Sequence, residues 1–369
     1  MGEQVVTPYS VSARNGGVDY ARIVSDFGCK LIDPQLIQRL EKLTNKPAHP
    51  FLRRGIFFAH RDLESILDAY EQGHKFFLYT GRGPSSESLH LGHLVQFMFT
   101  KYLQDAFDVP LVIQLSDDEK FIWKDISQEE CQRLGRNNAK DIISCGFRLE
   151  RTFIFSNLDY VSGALFDNVL TISSFLSINA MSAVFGLNAE TDVLGKLLYP
   201  AVQIAPAFST SFNDVFGEGI KMRCLIPCAI DQDPYFRLSR DLAPRLKLYK
   251  PALIESRFLP SIQAGDDSGK MSASSPNSAI FVTDTLEEIK QKLAGAAVES
   301  VLAYFTFFEE NDAVLEEMKA DFSSGKRSLE DLKNDLSKAL WEVLENLQQL
   351  KAEVDDKILS EFMRPRLIR

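Results

Sequence analysis

The sequence predicts an α/β fold: a Rossmann-like parallel sheet that carries a helical insertion, followed by a C-terminal all-helical domain. Two observations support this prediction. A short apolar strand, an amphipathic helix and a second apolar strand succeed one another between Lys75 and Leu115, and this βαβ order is typical of a parallel sheet. After about residue 280, strand-like runs give way to apolar residues that recur at helical spacing.

The first βαβ unit is well marked in the sequence. The aromatic run at residues 76–79 predicts a buried strand, and the glycine- and serine-rich segment 80–86 predicts a loop. From Gly92 to about Phe107 apolar residues recur at helical spacing, and residues 110–115 form a second apolar run. We therefore expect two neighbouring parallel strands joined by one helix.

Further elements extend this unit on both sides. Residues 125–220 are predicted to be a largely helical insertion with one strand-like run at 153–155. The runs at 224–230 and around 258–259 predict two more strands. Residues 1–50 are expected to form an N-terminal extension, irregular or hairpin-bearing, with a short helix near 33–43.

The C-terminal part carries one long apolar stripe. It predicts a single helix packed in a bundle, and its members are Leu332, Leu336, Leu340, Val343, Leu347, Leu350, Val354 and Ile358. The predicted domains are therefore the extension (1–50), the sheet domain with its insertion (51–280) and a helical domain (281–369).

Composition excludes several classes of protein. The chain of 369 residues has a formal net charge of −10 at pH 7, which disfavours indiscriminate binding of DNA or of an anionic membrane surface. The N-terminus lacks a signal-peptide pattern, and no apolar run approaches the roughly 18 residues of a membrane span. The five cysteines show neither disulfide nor zinc spacing, so we expect a reduced, cytoplasmic protein without a protein metal site.

The most informative motif is His90-Leu91-Gly92-His93, where the first predicted strand passes into the first helix. Helix N-termini present free N–H groups to phosphate, and Gly92 lets a nucleotide approach the backbone. Two imidazoles can also donate hydrogen bonds to phosphate oxygens. A pair of ordinary loop histidines would give the same letters, but the place of the motif at a strand–helix junction favours a nucleotide site.

A second motif is Lys270-Met271-Ser272-Ala273-Ser274, which follows glycines at 265 and 269 and is predicted to lie on a loop. Its lysine can neutralise the outer phosphates of a nucleotide, and its serines can donate to them. It is not a P-loop, because the glycine spacing is one residue short and Met271 stands where Ser or Thr must hold magnesium.

A third segment, Ala229-Ile230-Asp231-Gln232-Asp233, follows a predicted strand. Ligands of open α/β sheets bind beyond the carboxyl ends of strands, so these polar side chains suit a ribose hydroxyl or an ammonium group. A turn with helix-capping aspartates explains the segment equally well by itself.

Together, the motifs resemble a known family. His-x-Gly-His followed about 180 residues later by Lys-Met-Ser-Ala-Ser is the signature pair of class I aminoacyl-tRNA synthetases. Wider strings resemble the eukaryotic tryptophanyl-tRNA synthetases, namely residues 79–86, 116–120, 224–236, His60-Arg61-Asp62 and 362–366. The resemblance extends over about residues 4–366.

The resemblance implies activation of L-tryptophan with ATP and Mg²⁺ to tryptophanyl-adenylate and pyrophosphate, then transfer of tryptophan to tRNA(Trp). Catalysis of this kind relies on positioning and on stabilising phosphate charge. The implied catalytic residues are His90, His93, Lys270 and Arg82. The implied ATP-binding residues are Gly81, Gly83, His90, Gly92, His93, Asp231, Lys270, Met271 and Ser272.

The implied tryptophan pocket has a physical rationale. Tryptophan offers one indole N–H donor, and a site built to accept it discriminates strongly against substrates that lack it. Tyr79 and Gln114, at the first two predicted strands, are implied to contact this N–H. Glu119, Gln203 and Gln232 are implied to surround the α-ammonium. Gln203 lies on a mostly apolar helix, where a polar side chain more often faces a cavity than the core.

The resemblance further implies a cytoplasmic homodimer whose helical domain binds the tRNA anticodon. One feature departs from the family, whose members carry a longer polar connector where this chain has residues 292–298. A tyrosyl-tRNA synthetase is the nearest alternative, although its pocket needs a partner for a phenol hydroxyl. A small-molecule nucleotidyltransferase would not need the helical domain, and a non-catalytic relative would be expected to lack one of the two motifs.

Overall fold

A computed structural model describes residues 5–8, 11–12, 18–188, 190–262, 270–271 and 279–368. Its strands are β1 (Val5–Val6), β2 (Val11–Ser12), β3 (Lys30–Leu31), β4 (Phe57–Arg61), β5 (Phe76–Arg82), β6 (Leu111–Leu115), β7 (Thr152–Ser156), β8 (Arg223–Ala229) and β9 (Ala252–Ser256). Its helices are α1 (Tyr20–Phe27), α2 (Pro34–Thr44), α3 (Pro50–Arg53), α4 (Leu63–Glu71), α5 (Leu91–Phe107), α6 (Asp117–Trp123), α7 (Gln128–Ser144), α8 (Asn157–Tyr160), α9 (Gly163–Ser173), α10 (Ile178–Phe185), α11 (Leu194–Ile204), α12 (Asn213–Phe216), α13 (Asp233–Leu246), α14 (Leu286–Ala294), α15 (Val298–Phe308), α16 (Asp312–Ser323), α17 (Leu329–Ala352) and α18 (Asp356–Met363).

Seven strands form one mixed sheet in the order β3-β4-β9-β8-β5-β6-β7. The strands from β9 to β7 pair in parallel, whereas β3 and β4 pair antiparallel at one edge. The predicted Rossmann-like sheet is confirmed, with an antiparallel edge that the prediction did not include. The chain runs from β5 outward to β6 and β7 and then crosses to β8 on the other side of β5. The topological switch point therefore lies between β5 and β8, where ligands of such sheets bind.

The parallel strands are apolar because helices cover both faces of the sheet. Every residue of β6 and of β7 is buried. One core cluster joins Leu78 and Ile113 to α5 and to residues of the C-terminal helices such as Leu340. A second cluster joins Tyr79 and Phe153 to the helices between β7 and β8. Alternate residues of one strand thus face different cores.

One predicted strand is misplaced. The run around 258–259 is not a strand, and the strand lies at Ala252–Ser256 instead. A charged residue, Glu255, interrupts the apolar run in the sequence, yet it is fully buried inside the sheet. Hydrophobic pattern alone therefore favoured the two apolar residues that follow it.

The predicted single C-terminal helix consists of two helices. α17 ends at Ala352, and Asp355 begins a new helix by accepting a hydrogen bond from the backbone N–H of Ile358. Val354 and Ile358 therefore do not continue the stripe of α17. The apolar residues keep helical spacing across the break, because the three residues between α17 and α18 correspond to almost one helical turn.

The chain between β7 and β8 is largely helical, in line with the prediction for residues 125–220. Phe166, Leu170 and Ile178 on α9 and α10 are exposed apolar side chains. Within the described residues, no single helix is long and apolar enough to cross a membrane, and α9 with α10 reaches that length and composition only as a pair bent by 96°.

Candidate active site

A cavity of about 550 Å³ opens at the carboxyl ends of β5 and β8. It brings together residues that are far apart in the sequence, because parallel strands end at the same edge of the sheet. The predicted site residues on its wall are Gly81, Arg82, Gly83, His90, Gly92, His93, Glu119, Gln203, Asp231, Gln232, Lys270 and Met271. Ser272 lies outside the described residues.

Arg82 ends β5 and fixes the neighbouring histidine. Its buried guanidinium donates from Nε to Oδ1 of Asn138 at 2.9 Å, and its Nη1 lies 2.9 Å from Nε2 of His93. Because a guanidinium only donates, His93 Nε2 accepts, and Nδ1 of the same ring lies 3.5 Å from the backbone nitrogen of His90. Burial lowers the pKa of Arg82 to about 10, so the side chain still carries its charge at neutral pH.

The two histidines of the motif are neutral at pH 7. Their rings lie against each other with centroids 3.6 Å apart. Burial, aided by the charges of Arg82 and Lys270, lowers the pKa of His90 to about 3. Burial and the charge of Arg82 also hold the pKa of His93 well below its usual value. His90 Nδ1 is buried and finds no hydrogen-bond partner among the described residues, which leaves it available to a ligand.

Two glycines of the cavity wall lie close to side chains of the same wall. A Cβ on Gly92 would lie 3.1 Å from the ring of His90, and a Cβ on Gly83 would lie 2.5 Å from Cε of Lys120. Larger residues would force these side chains to move. Glycine at both positions therefore keeps the wall in the observed arrangement.

The opposite wall pairs a cation with a buried acid. Lys270 Nζ donates to Oδ2 of Asp231 at 3.1 Å, and the backbone N–H of Met271 donates to the carbonyl of Leu259 at 2.8 Å. The other carboxylate oxygen of Asp231 is buried without a partner in the described part of the chain. A hydroxyl of a ligand could donate to that oxygen.

Sequence reasoning missed several wall residues. Lys120, Lys124 and Arg257 add positive charge to the cavity, and such a lining suits a polyphosphate. Tyr199 and Tyr235 add aromatic surface. The sequence holds little signal for them, because aromatic residues on apolar helices are usually core and lysines are usually solvated.

Two predicted pocket residues lie behind the wall. Tyr79 and Gln114 are fully buried and do not line the cavity. The Tyr79 hydroxyl lies 2.6 Å from Gln114 Oε1 and 2.8 Å from the backbone carbonyl of Gln203. Gln203 is on the wall, and Tyr199 donates to its Oε1 at 2.5 Å. Gln203 therefore separates the cavity from the buried pair.

A buried cluster next to Asp231 has the composition of a metal site. Ligand atoms of Cys29, Asp233 and Glu255 lie within 4.8 Å of one another. Arg61, however, donates to both carboxylate oxygens of Asp233, at 2.5 and 3.0 Å. Burial and then the charge of Asp233 hold the pKa of Glu255 well above its usual value. The Arg61 guanidinium thus already offsets the charge of Asp233, and burial disfavours a charge on Glu255.

The chain is similar to known proteins along most of its length. The family model described as tRNA synthetases class I (W and Y) matches residues 71–356. A relative from Arabidopsis thaliana, named "Tryptophan--tRNA ligase, cytoplasmic", is 50% identical over 99% of this chain and 95% of its own length. A human relative with the same name is 46% identical over 99% of this chain and 81% of its own length.

Solved structures show the same fold. A tryptophanyl-tRNA synthetase from Encephalitozoon cuniculi, solved with bound tryptophan, is 38% identical with a TM-score of 0.87, covering 94% of this chain and all (100%) of that one. A tryptophanyl-tRNA synthetase from Plasmodium falciparum is 43% identical with a TM-score of 0.86, covering 94% of this chain and 97% of that one. The similarity to both structures therefore extends along nearly the whole chain.

Proposed function

We propose that this chain, which belongs to the tRNA synthetases class I (W and Y), is a cytoplasmic tryptophan–tRNA ligase. It activates L-tryptophan with ATP to tryptophanyl-adenylate and pyrophosphate, then transfers tryptophan to tRNA(Trp). The observation that carries the proposal is the convergence of His90, His93 and Lys270 on one cavity at the β5–β8 switch point. Both relatives are named as tryptophan–tRNA ligases, which favours tryptophan over tyrosine as the amino-acid substrate.

The cavity suits ATP through groups that carry charge or that have no hydrogen-bond partner among the described residues. The tryptophan carboxylate attacks the α-phosphate in line, and the site stabilises the charge that develops on the phosphates. His90 and His93 stand at the N-terminus of α5, where they act as neutral donors to phosphate oxygens. Lys270 neutralises the departing pyrophosphate. Asp231 Oδ1, which no residue of the described ranges contacts by a hydrogen bond, accepts from a ribose hydroxyl.

Mg²⁺ enters this proposal with ATP. The acids of the cavity wall, Glu119 and Asp231, are each engaged by a lysine, Lys120 at 2.6 Å and Lys270 at 3.1 Å. Magnesium commonly binds through substrate phosphates and retains several waters, so this arrangement fits an ion carried by the nucleotide. When bound, the ion would offset the charge of the phosphates.

Tryptophan is assigned to the inner end of the cavity. Tyr199, Tyr235 and Phe236 supply flat apolar surface there, and Tyr79 and Gln114 supply acceptors for the indole N–H behind Gln203. A shift of the Gln203 side chain would open the way to them. Glu119, Gln203 and Gln232 lie on the wall, and we assign them to the α-ammonium.

The domain assignment and the homodimer belong to the same proposal. Residues 51–280 would form the catalytic unit, and residues 281–369 would bind the anticodon of the tRNA. Exposed apolar side chains on α9, α10 and α11 form a face that a second copy would cover, and they include Phe166, Leu170, Ile178, Leu194 and Leu198. Leu194→Glu should shift the mass measured by light scattering toward the monomer; an unchanged dimer would place the interface elsewhere.

The decisive test is ATP–pyrophosphate exchange measured with each of the twenty amino acids and no tRNA. We expect exchange with tryptophan and Mg-ATP alone. Exchange with tyrosine instead would retain the family and overturn the pocket assignment. No exchange with any amino acid would overturn the proposed first step.

A further inference from the structure

A chain of hydrogen bonds runs behind the tryptophan end of the cavity. The Tyr79 hydroxyl contacts Gln114 Oε1 at 2.6 Å, and Gln114 Nε2 donates to Oδ1 of Asn157 at 3.0 Å. Asn157 Nδ2 in turn donates to Oδ1 of Asp118 at 2.8 Å. These contacts link β5, β6, α8 and α6, so the chain crosses from one strand end to the next.

The hydrogen bonds of this series have a fixed donor-to-acceptor direction, because its last member is a carboxylate. An ionised carboxylate only accepts, so Asn157 must present its amide nitrogen to Asp118 and its oxygen to Gln114. Gln114 must then present Nε2 to Asn157, which leaves Oε1 pointing at Tyr79. The backbone carbonyl of Val202 lies 3.4 Å from Gln114 Nε2 and favours the same orientation.

The opposite orientation of the Gln114 amide is disfavoured by its burial. A flipped amide would set Oε1 against two other acceptors, the oxygen of Asn157 and the carbonyl of Val202. Gln114 is fully buried and Asn157 nearly so, so water does not compensate for such contacts. The orientation of one side-chain oxygen is thus set by residues that do not touch the cavity.

We propose that Asn157 and Asp118 are positioning residues that fix Gln114 Oε1 as an acceptor and thereby set the preference for a substrate with a ring N–H. This inference rests on the proposed function, in which Gln114 meets the indole. The Tyr79 hydroxyl occupies one of the two lone pairs of Gln114 Oε1, so a ring without the N–H donor would leave the second lone pair buried and unpaired.

Asp118 has a second contact that the experiment must separate from this role. The backbone N–H of Glu119 also donates to Asp118 Oδ1, at 2.8 Å, and Glu119 is assigned to the α-ammonium. Loss of that contact would weaken all amino-acid substrates alike. The ratio between tryptophan and an analogue that differs only at the ring N–H therefore reports the orientation of Gln114 alone.

The experiment compares tryptophan with β-(3-benzothienyl)alanine, which carries sulfur in place of the indole N–H, in pyrophosphate exchange. The assay is run at pH 8, because burial raises the pKa of Asp118 to about 7. We expect the wild-type enzyme to favour tryptophan in kcat/KM by at least about 100-fold. Asn157→Leu, which breaks the link to Gln114, should reduce that ratio by about 10-fold or more. Asp118→Asn keeps an oxygen that can accept from Asn157, so it should reduce the ratio by a smaller factor, and the KM for ATP should stay nearly unchanged in both.

A matched control is Asn168→Leu on α9. It removes hydrogen bonds to Thr210 and Ser211 and does not contact the hydrogen-bonded series from Tyr79 to Asp118. It should leave the ratio as in the wild type. An unchanged ratio in both Asp118→Asn and Asn157→Leu, with equal losses for the two substrates, would overturn the positioning role. Absence of exchange with tryptophan in the wild-type enzyme would instead overturn the proposed function itself.

Discussion

A contact between α7 and α17 ties the C-terminal helices to the histidine motif. Asp141, on α7, is 1% exposed, and its Oδ2 accepts from the Ser88 hydroxyl at 2.8 Å and from the Leu89 N–H at 3.0 Å. Its Oδ1 lies 2.5 Å from Nζ of Lys351 on α17. Because Ser88 and Leu89 directly precede His90, we predict that Lys351→Met impairs both stability and adenylate formation.

The expected magnitude follows from the burial of the pair. Removing one partner of a fully buried ion pair costs about 3–5 kcal/mol, because the other charge stays uncompensated. The Lys351 side chain is 24% exposed, so water reaches that side, and Asp141 retains its hydrogen bonds from Ser88 and Leu89. We therefore expect a loss of about 2–3 kcal/mol in the free energy of unfolding.

The matched control lies on the same helix. Lys338 has a 69% exposed side chain and lies 4.0 Å from Asp335, so Lys338→Met should change stability by no more than about 0.5 kcal/mol. Urea-induced unfolding followed by circular dichroism measures both variants, and pyrophosphate exchange measures adenylate formation, for which Lys351→Met should lose about 10-fold.

A double-mutant cycle with Asp141→Asn separates the pair from its surroundings. The coupling between the two substitutions should be about 1–2 kcal/mol. If Lys351→Met destabilises the protein no more than Lys338→Met does, or if exchange falls equally in both, the argument for the α7–α17 contact is wrong.

Two further predictions concern the cavity. Lys270→Ala should lower pyrophosphate exchange by at least about 100-fold, but it should cost only about 1–2 kcal/mol of stability through the loss of the Asp231 contact. Lys290→Ala serves as the exposed control. Normal exchange in Lys270→Ala would show that Lys270 does not act at the phosphate site. Since the pKa of His90 is lowered to about 3, kcat/KM for ATP, which reports the free enzyme, should show no inflection from His90 between about pH 6 and 8; an inflection near the usual histidine value that disappears in His90→Gln would contradict this. The same shift makes acid destabilising, because His90 binds a proton near its usual pKa when unfolded but only near 3 when folded, so this contribution is present above the usual value and is lost as the pH falls toward 3.

The hydrophobic pattern predicted an element correctly where all residues of one face share the same surroundings. The βαβ unit from β5 to β6 was predicted in the right place, because strands buried on both faces are continuously apolar and α5 has clear helical spacing. The loop predicted at residues 80–86 was wrong for residues 80–82, which extend β5 to Arg82. The misplaced strand at Ala252–Ser256 shows where the pattern fails. Glu255 is an acid in the sequence, yet it is buried in the fold, where burial and the charge of Asp233 raise its pKa, and no local rule anticipates partners from other strands.

The same distinction separates the parts of the site. Residue types at strand ends and at the start of α5 indicated the nucleotide site, because helix N-termini and strand ends bind phosphate and ribose wherever they occur. The positive charges of Lys120, Lys124 and Arg257 could not be assigned from the sequence, since a lysine in a charged segment has the same letters whether it faces solvent or a cavity.

The family, the parallel sheet and the residues of the two motifs could thus be predicted from the amino-acid sequence, because they depend on short segments with local physical requirements. The fold was needed to show which of those residues share one wall, that Tyr79 and Gln114 lie behind Gln203, and that Asn157 joins Gln114 to Asp118 by hydrogen bonds. The reason is that hydrogen-bond direction, burial and pKa depend on partners that the fold brings from distant parts of the chain.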